Sequence, residues 1–347
     1  MGKKEKIIGI IGIILFLYLF ILSVVIIKEA SLEIGKSMIN TITSKLSPIN
    51  AFGAGWFITI IMQSSGAATS TFNALYAAGA ISSIVLIFLV IGTRIGTTIT
   101  ALFISLFVHA KRRDFRHGFE IGLANLVYAF PIAIILILFE YFFHIFSNLN
   151  FSTINIDFSH SFNIVNMITS LPISILSHLP NFLLFIIGIV IIIVSLNKIP
   201  KYMMLIWGEE NLRNKLNKYL GKKYHAFFIG FIITAVLLST SITITLLIPI
   251  IVSRLINLKK AIPYMIGSNL GTVVYPIISS LALGKAAFLG IFVYSSFSII
   301  GLLWLFNIPL LFSITKYVSK RTLHVSQNRA LIFVILFVII SLILAVI

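Results

Sequence analysis

The chain has 347 residues, 59% of them hydrophobic and 10% charged, and no cysteine. An ordinary soluble chain is about 45–50% apolar and about 25% charged. Too little polar surface remains here to cover a core in water, so a water-soluble globular enzyme is excluded and an integral membrane protein is expected. Twenty-six Lys and Arg against nine Asp and Glu leave a formal +17; in a membrane chain that excess belongs in cytoplasmic loops, not against nucleic acid. Without cysteine there are no disulfides, thiolate metal sites or Cys nucleophile.

A hydrocarbon core about 30 Å thick needs roughly 20 apolar residues as helix. The first such run, 7–27, follows Lys3, Lys4 and Lys6 and ends at Lys28 and Glu29 without a small-residue cleavage site, so it reads as an uncleaved helix. Lys6 occupies the position where myristoylation wants a hydroxyl. Leu32, Gly35, Ile39, Ile42 and Leu46 then recur at helical spacing in a polar context, as an interfacial helix does.

The next apolar stretch, 50–83, carries a dense hydroxyl cluster in its middle and does not read as a plain span. Plain spans follow at 84–108 and 118–143, with a connector over 144–179. The second half opens with a span at 180–197 and a basic amphipathic stretch carrying Leu212, Leu216, Tyr219 and Leu220. A second hydroxyl-bearing stretch, 225–253, precedes spans at 261–284 and 286–312; a basic linker leads to a last span at 330–347.

If both hydroxyl-bearing stretches are re-entrant hairpins, the loops alternate so that 21 basic residues fall on the cytoplasmic side. Four (Lys28, Lys36, Lys45 and Lys285) fall outside and one, Arg94, lies within the membrane. As single spans they would put basic loops on the wrong face. The expected orientation has the N-terminus in the cytoplasm of a plasma-membrane protein and the C-terminus outside.

An offset of 175 maps one half onto the other: Gly55 onto Gly230, Thr59 onto Thr234, Ser64 onto Ser239, Gly92 onto Gly267, Gly96 onto Gly271 and Thr97 onto Thr272. Hydroxyls and glycines coincide while apolar residues drift. Under the charge-derived orientation the two hairpins enter from opposite sides. The expected fold is thus an all-α polytopic membrane protein with two inverted repeats, each holding a re-entrant hairpin and a broken helix, plus an extra C-terminal helix. The first repeat spans 1–143, the outer connector 144–179, the second repeat 180–318, and the basic linker with its helix 319–347. Inverted repeats with broken elements near the midplane typify secondary transporters.

The first hairpin centres on QSSGAATS (Gln63–Ser70) and the second on LSTSITIT (Leu238–Thr245). Irregular backbone at membrane depth survives only where it is buried in protein or lines a cavity; the bland alternative makes the hydroxyls helix-packing glue. The second pair of motifs is GTRIGTT (Gly92–Thr98) against GSNLGTV (Gly267–Val273). Its glycines either let helices approach closely or open the helix so that amides face an anion and freed carbonyls hold Na+. Their coincidence with the hydroxyl clusters favours the opened helix.

These paired motifs resemble those of the type II sodium/phosphate cotransporter family, over roughly residues 50–108 and 225–283. The resemblance implies Na+-driven uptake of inorganic phosphate at a site between hairpin tips and broken helices. Gln63, Ser64 and Ser65 match the family's first QSS motif, and Ser239 and Thr240 the second, where Leu238 replaces the glutamine. Asn269 matches the asparagine of the second glycine motif, whereas Arg94 replaces that of the first. This makes the chain a divergent member. The implied anion site comprises Gln63, Ser64, Ser65, Arg94, Thr97, Ser239, Thr240, Asn269 and Thr272; the sodium candidates are Ser65, Thr69, Thr93, Ser241, Thr243 and Ser268.

A cation at mid-span costs about 2.5–3.5 kcal/mol on insertion scales, so Arg94 should face a cavity or an anion, either gripping phosphate or taking the charge role of one Na+. The rival account has it snorkel or pair with backbone carbonyls. Asn125, Tyr128 and Pro131 either line the pathway or kink their span, and the three tryptophans read as anchors or packing. No enzyme, cofactor or transition-metal site is expected. Expected partners are phosphate or another small anion, Na+ as coupling ion, membrane lipids and a second copy of the chain. Rival functions are transport of another anion with altered coupling, a membrane enzyme acting on lipid phosphates, and a non-transporting phosphate sensor.

Overall fold

The computed structural model describes residues 7–19, 21–23, 25–26, 46–77, 79–107, 112–149, 164–176, 178–207, 209–280, 287–323 and 327–347. The interfacial helix expected at 32–46 lies almost wholly outside them. All regular structure among the described residues is helical. Helix α1 is Ile7–Ser23. It packs on α8 (Asn181–Trp207), with Phe16 stacked on Tyr202 at 5.4 Å between centroids.

Between these lie α2 (Pro48–Met62), α3 (Ser65–Ala77), α4 (Ser83–Gly96), α5 (Ile99–Leu106), α6 (Arg112–Phe143) and α7 (Ile164–Leu176). The second half continues with α9 (Glu209–Leu220), α10 (Lys223–Leu237), α11 (Thr240–Thr245), α12 (Leu247–Val252), α13 (Leu258–Gly271) and α14 (Val274–Ser280). It ends with α15 (Ala287–Gly301), α16 (Leu303–Phe306), α17 (Ile308–Leu323) and α18 (Gln327–Val346). The 175-residue offset recurs in these bounds: α2 and α10, α4 and α13 start and stop at matching positions, and α3/α11, α5/α14 and α6/α15 start in register.

Local chemistry explains the shared punctuation. Helix α2 starts with Pro48 after Ser47, whose hydroxyl accepts the Asn50 amide, and proline at the first turn forfeits no bond. It stops at Gln63, which adopts left-handed φ 51°; α10 stops at the matching Leu238, φ 54°. The next residue in each half, Ser64 or Ser239, turns its hydroxyl back to accept an amide three residues on, at Ala67 or Ile242. Helices α4 and α13 both begin behind a side-chain cap, Ser82 in one and Asn257 in the other.

The glycines settle how α2 meets α4 and α10 meets α13. A Cβ on Gly55 would overlap the Leu89 carbonyl, and on Gly230 the Tyr264 carbonyl; on Gly92 and Gly267 it would overlap the carbonyls of Phe52 and Phe227. These glycines bring two backbones into direct contact, as in small-xxx-small packing. Close packing accounts for Gly92 and Gly267, and the helices are also interrupted within the same motifs, at Thr97–Thr98 and Thr272–Val273, directly after Gly96 and Gly271.

Five described helices are long and apolar enough to cross a membrane: Ser83–Leu106, Phe115–Phe143, Leu258–Ile278, Ala287–Phe306 and Asn328–Val346. Arg213–Leu220 and Lys223–Leu237, bent by 92° at a short break, add a sixth only if the pair is one span and not a re-entrant loop. The span Ser83–Leu106 is almost wholly buried, whereas α18 exposes Leu331, Ile332, Ile335, Leu336, Ile339 and Ile340. So continuous an apolar outer face has no place in water, and this is an integral membrane protein with α4–α5 at its centre.

Candidate functional site

Arg94 is only 1% exposed, near the end of the central helix α4. Its Nη2 donates to the backbone oxygen and to Oδ1 of Asn269, each at 3.3 Å, and to Ser298 Oγ at 3.1 Å. Asn269 is its counterpart 175 residues on, so equivalent positions of the two halves meet at the middle of the molecule. The Asn269 amide group donates to Asn125 Oδ1 at 2.8 Å and to the Met265 carbonyl at 3.0 Å, which fixes its orientation. Ser298 Oγ donates to the Asn269 carbonyl at 2.8 Å.

Aromatic rings close the other side. The guanidinium carbon lies 4.3 Å from the Tyr294 ring centroid and 5.1 Å from that of Phe297. A desolvated cation over a ring is stabilised by about 2 kcal/mol, which offsets part of the burial cost. The Tyr294 hydroxyl meets Ser65 Oγ at 2.8 Å, tying the start of α3 to the same group. Tyr128 is buried as well.

The polar balance of this site is incomplete. Among the described residues the ion pairs converge on Glu120, with Arg116 at 3.2 Å, His117 at 3.5 Å and Lys316 at 2.5 Å, and none reaches Arg94. Arg94 Nε and Nη1 and the Tyr128 hydroxyl are buried without a hydrogen-bond partner. A guanidinium has five N–H donors, and here those on two of its three nitrogens are unspent. Leaving such groups unpaired costs about 1–3 kcal/mol each, more when charged. The unspent donors of Arg94 suit a group that accepts hydrogen bonds and carries negative charge. Pairing with a backbone carbonyl does occur, at Asn269, and satisfies only Nη2.

The other candidates fall into separate groups. Gln63 Oε1 accepts from Thr100 Oγ1 at 2.8 Å, and Ser241 Oγ donates to Thr100 at 3.3 Å, so the α2–α3 junction and α11 are linked through α5. Thr240 Oγ1 reaches the Ser268 carbonyl at 3.5 Å. Ser64 and Ser239 serve as helix caps. Thr97 and Thr272 are buried at the C-terminal ends of α4 and α13. The sodium candidates do not converge on one point: Thr69 meets Thr93 at 3.3 Å, Thr243 meets Thr234 at 2.8 Å, and Ser268 donates to the Tyr264 carbonyl at 3.0 Å.

Sequence reasoning missed Thr100, Tyr294, Phe297 and Ser298. The available signal was polar: Tyr294, Ser295 and Ser298 interrupt an otherwise apolar span. Trp56 is confirmed as packing, edge-on to Phe337 at 4.7 Å, and the Trp304 indole donates to the Tyr128 carbonyl at 3.2 Å.

A family model described as Na+/Pi-cotransporter matches residues 15–170 and 184–307. No curated protein and no solved structure matches the chain.

Proposed function

Because the chain belongs to the Na+/Pi-cotransporter family, and so to a family of membrane phosphate transporters, we propose that it binds inorganic phosphate at Arg94 and carries it by alternating access. One observation carries this reading: a fully buried guanidinium at the meeting point of the two halves, with donors unspent and no carboxylate beside it among the described residues. Phosphate supplies several acceptor oxygens and two negative charges, and charge-assisted bonds to arginine are the strongest of their kind. Asn269 and Ser298 accept from the guanidinium and Tyr294 stacks on it, which holds its orientation and leaves Nε and Nη1 free to bind. Ser65 joins Tyr294, and Thr240 the Ser268 carbonyl beside Asn269, while Gln63 joins Thr100 on α5.

The proposed architecture follows from the offset and the charge distribution. Residues 1–143 and 180–318 form two oppositely oriented halves, α2–α3 and α10–α12 re-enter from opposite faces, and the C-terminus ends outside. The halves rock about the Arg94–Asn269 contact so that the site faces each side in turn. Na+ is the proposed coupling ion, held by hydroxyls and freed carbonyls near Thr69 and Thr93 or near Thr243. Arg94 stands where the family's motif has asparagine, and its fixed charge takes over the work of one Na+.

Uptake of labelled phosphate into proteoliposomes, with and without an inward Na+ gradient, tests this. Uptake accelerated by the gradient is expected. Phosphate uptake that ignores Na+ would leave the anion assignment standing and remove the coupling. Release of product from a phospholipid without phosphate uptake would favour a membrane enzyme instead.

A further inference from the structure

A second basic site lies away from Arg94. A cavity of about 510 Å³ opens between the start of α6, helix α9, the α12–α13 turn and α17. Its walls include His117, Arg213, Arg254, Lys259, Lys260 and Lys316, and among the described residues no acidic side chain lines it. It shares no lining residue with the Arg94 group.

Inter-element bonds hold these like charges together. Arg213 Nη2 donates to the Arg254 carbonyl at 3.0 Å, and Lys260 Nζ to Asn217 Oδ1 at 2.6 Å, so α9 is fastened to both sides of the turn. Lys316 is matched by Glu120 beneath it. Helix α13 begins here behind Asn257, with Lys259 and Lys260 in its first turn. Helices favour acidic residues there, because the amide end already carries partial positive charge.

The comparison with the first half is the deciding observation. The turn after α12 repeats the one after α3 bond for bond: the Gly79 amide donates to Tyr76 O and Ala80 to Leu75 O, and in register Arg254 donates to Ile251 O and Leu255 to Ile250 O. The turn demands a left-handed residue, and Gly79 supplies it at φ 73°. In the second half the same position is Arg254, at φ 56°. A non-glycine residue is strained there. Lys259 and Lys260 likewise replace Ile84 and Val85. A general bias toward basic loops is served by any position in the loop; it does not select the one where a side chain is strained, on the wall of a cavity.

We propose that this cavity binds a phosphate-bearing ligand, with Arg254, Lys259 and Arg213 as its anion-contacting residues. The shared chemistry is a multiply charged phosphate group, presented either by a free phosphate compound or by an anionic lipid headgroup. The site goes beyond the transport reading and does not depend on it.

The test is direct binding to the purified full-length protein by two probes: labelled pyrophosphate in neutral detergent, and phosphatidic acid in phosphatidylcholine nanodiscs. Arg254→Gly gives the turn the residue its counterpart already uses, so the fold should be kept, with an unchanged or higher unfolding temperature. That variant should weaken binding about tenfold, the loss of one charge-assisted contact. Adding Lys259→Ile should weaken it further, whereas Arg94→Asn should leave it intact. Binding of pyrophosphate identifies a free ligand, and binding of phosphatidic acid alone identifies a headgroup; either supports the site if Arg254→Gly diminishes it. The proposal is overturned if neither probe binds, if Arg254→Gly binds as wild type does, or if binding vanishes with Arg94→Asn but not with Arg254→Gly.

Discussion

Arginine at position 94 differs from Asn269, its counterpart 175 residues on, in charge, length and donor count. Its Nη2 holds the Asn269 backbone while its remaining nitrogens find no partner. Arg94→Asn should therefore act on two observables together. Phosphate affinity should fall about tenfold or more, since hydrogen bonds to charged groups contribute about 1.5–3 kcal/mol. The number of Na+ ions moved per phosphate should rise by one, as a mobile cation replaces the fixed one. Unchanged affinity and unchanged sodium stoichiometry, measured by paired phosphate and sodium fluxes, would sink the assignment. Arg94→Lys is not a conservative control, because an ammonium in the place of Nη2 brings neither the Nε and Nη1 donors nor the planar face that stacks on Tyr294.

Among the helices, the tightest constraint is the backbone contact between α10 and α13 and its partner between α2 and α4. Gly267→Ala puts a methyl group against the Phe227 carbonyl, and backbone cannot swing aside. Such overpacking typically costs about 1–3 kcal/mol, so the unfolding temperature of the detergent-solubilised protein should drop. Gly118→Ala is the contrast: its Cβ meets only the side-chain methyls of Val252 and Ile248, at 2.8 and 3.1 Å, and no backbone atom, so a smaller loss is expected. Equal losses for the two would mean that backbone contact is not the limiting factor. The glycine motifs were legible as motifs in the sequence, and their register across the halves was too. Their role was not, because both close packing and helix opening call for glycine, and only the neighbour decides. For the same reason Tyr294 and Ser298 were unreadable: their importance comes from Ser65, Arg94 and Asn269, which lie far away in the chain. Helix α7 went unread because Pro172 sits inside it, and proline in an apolar run signals an interruption.

For the molecule as a whole, composition already excluded water as solvent, and the exposed apolar face of α18 agrees. Orientation rests on the count of basic residues, and the absence of cysteine makes it testable without background. In sealed cells, Asn148→Cys should react with an impermeant maleimide from outside, and Lys320→Cys only after the membrane is opened; both positions are exposed. The reverse pattern would invert the proposed orientation and with it the side on which the basic cavity opens.

The guanidinium at the centre also has an electrical consequence. If the site alternates between faces, the unloaded carrier is itself a cation whose reorientation traverses part of the membrane field. A full elementary charge gains about 2.3 kcal/mol per 100 mV, so even a fraction of that biases which way the empty protein faces. The resting voltage of the cell then sets how often the phosphate site is presented to the outside, before any ion has bound.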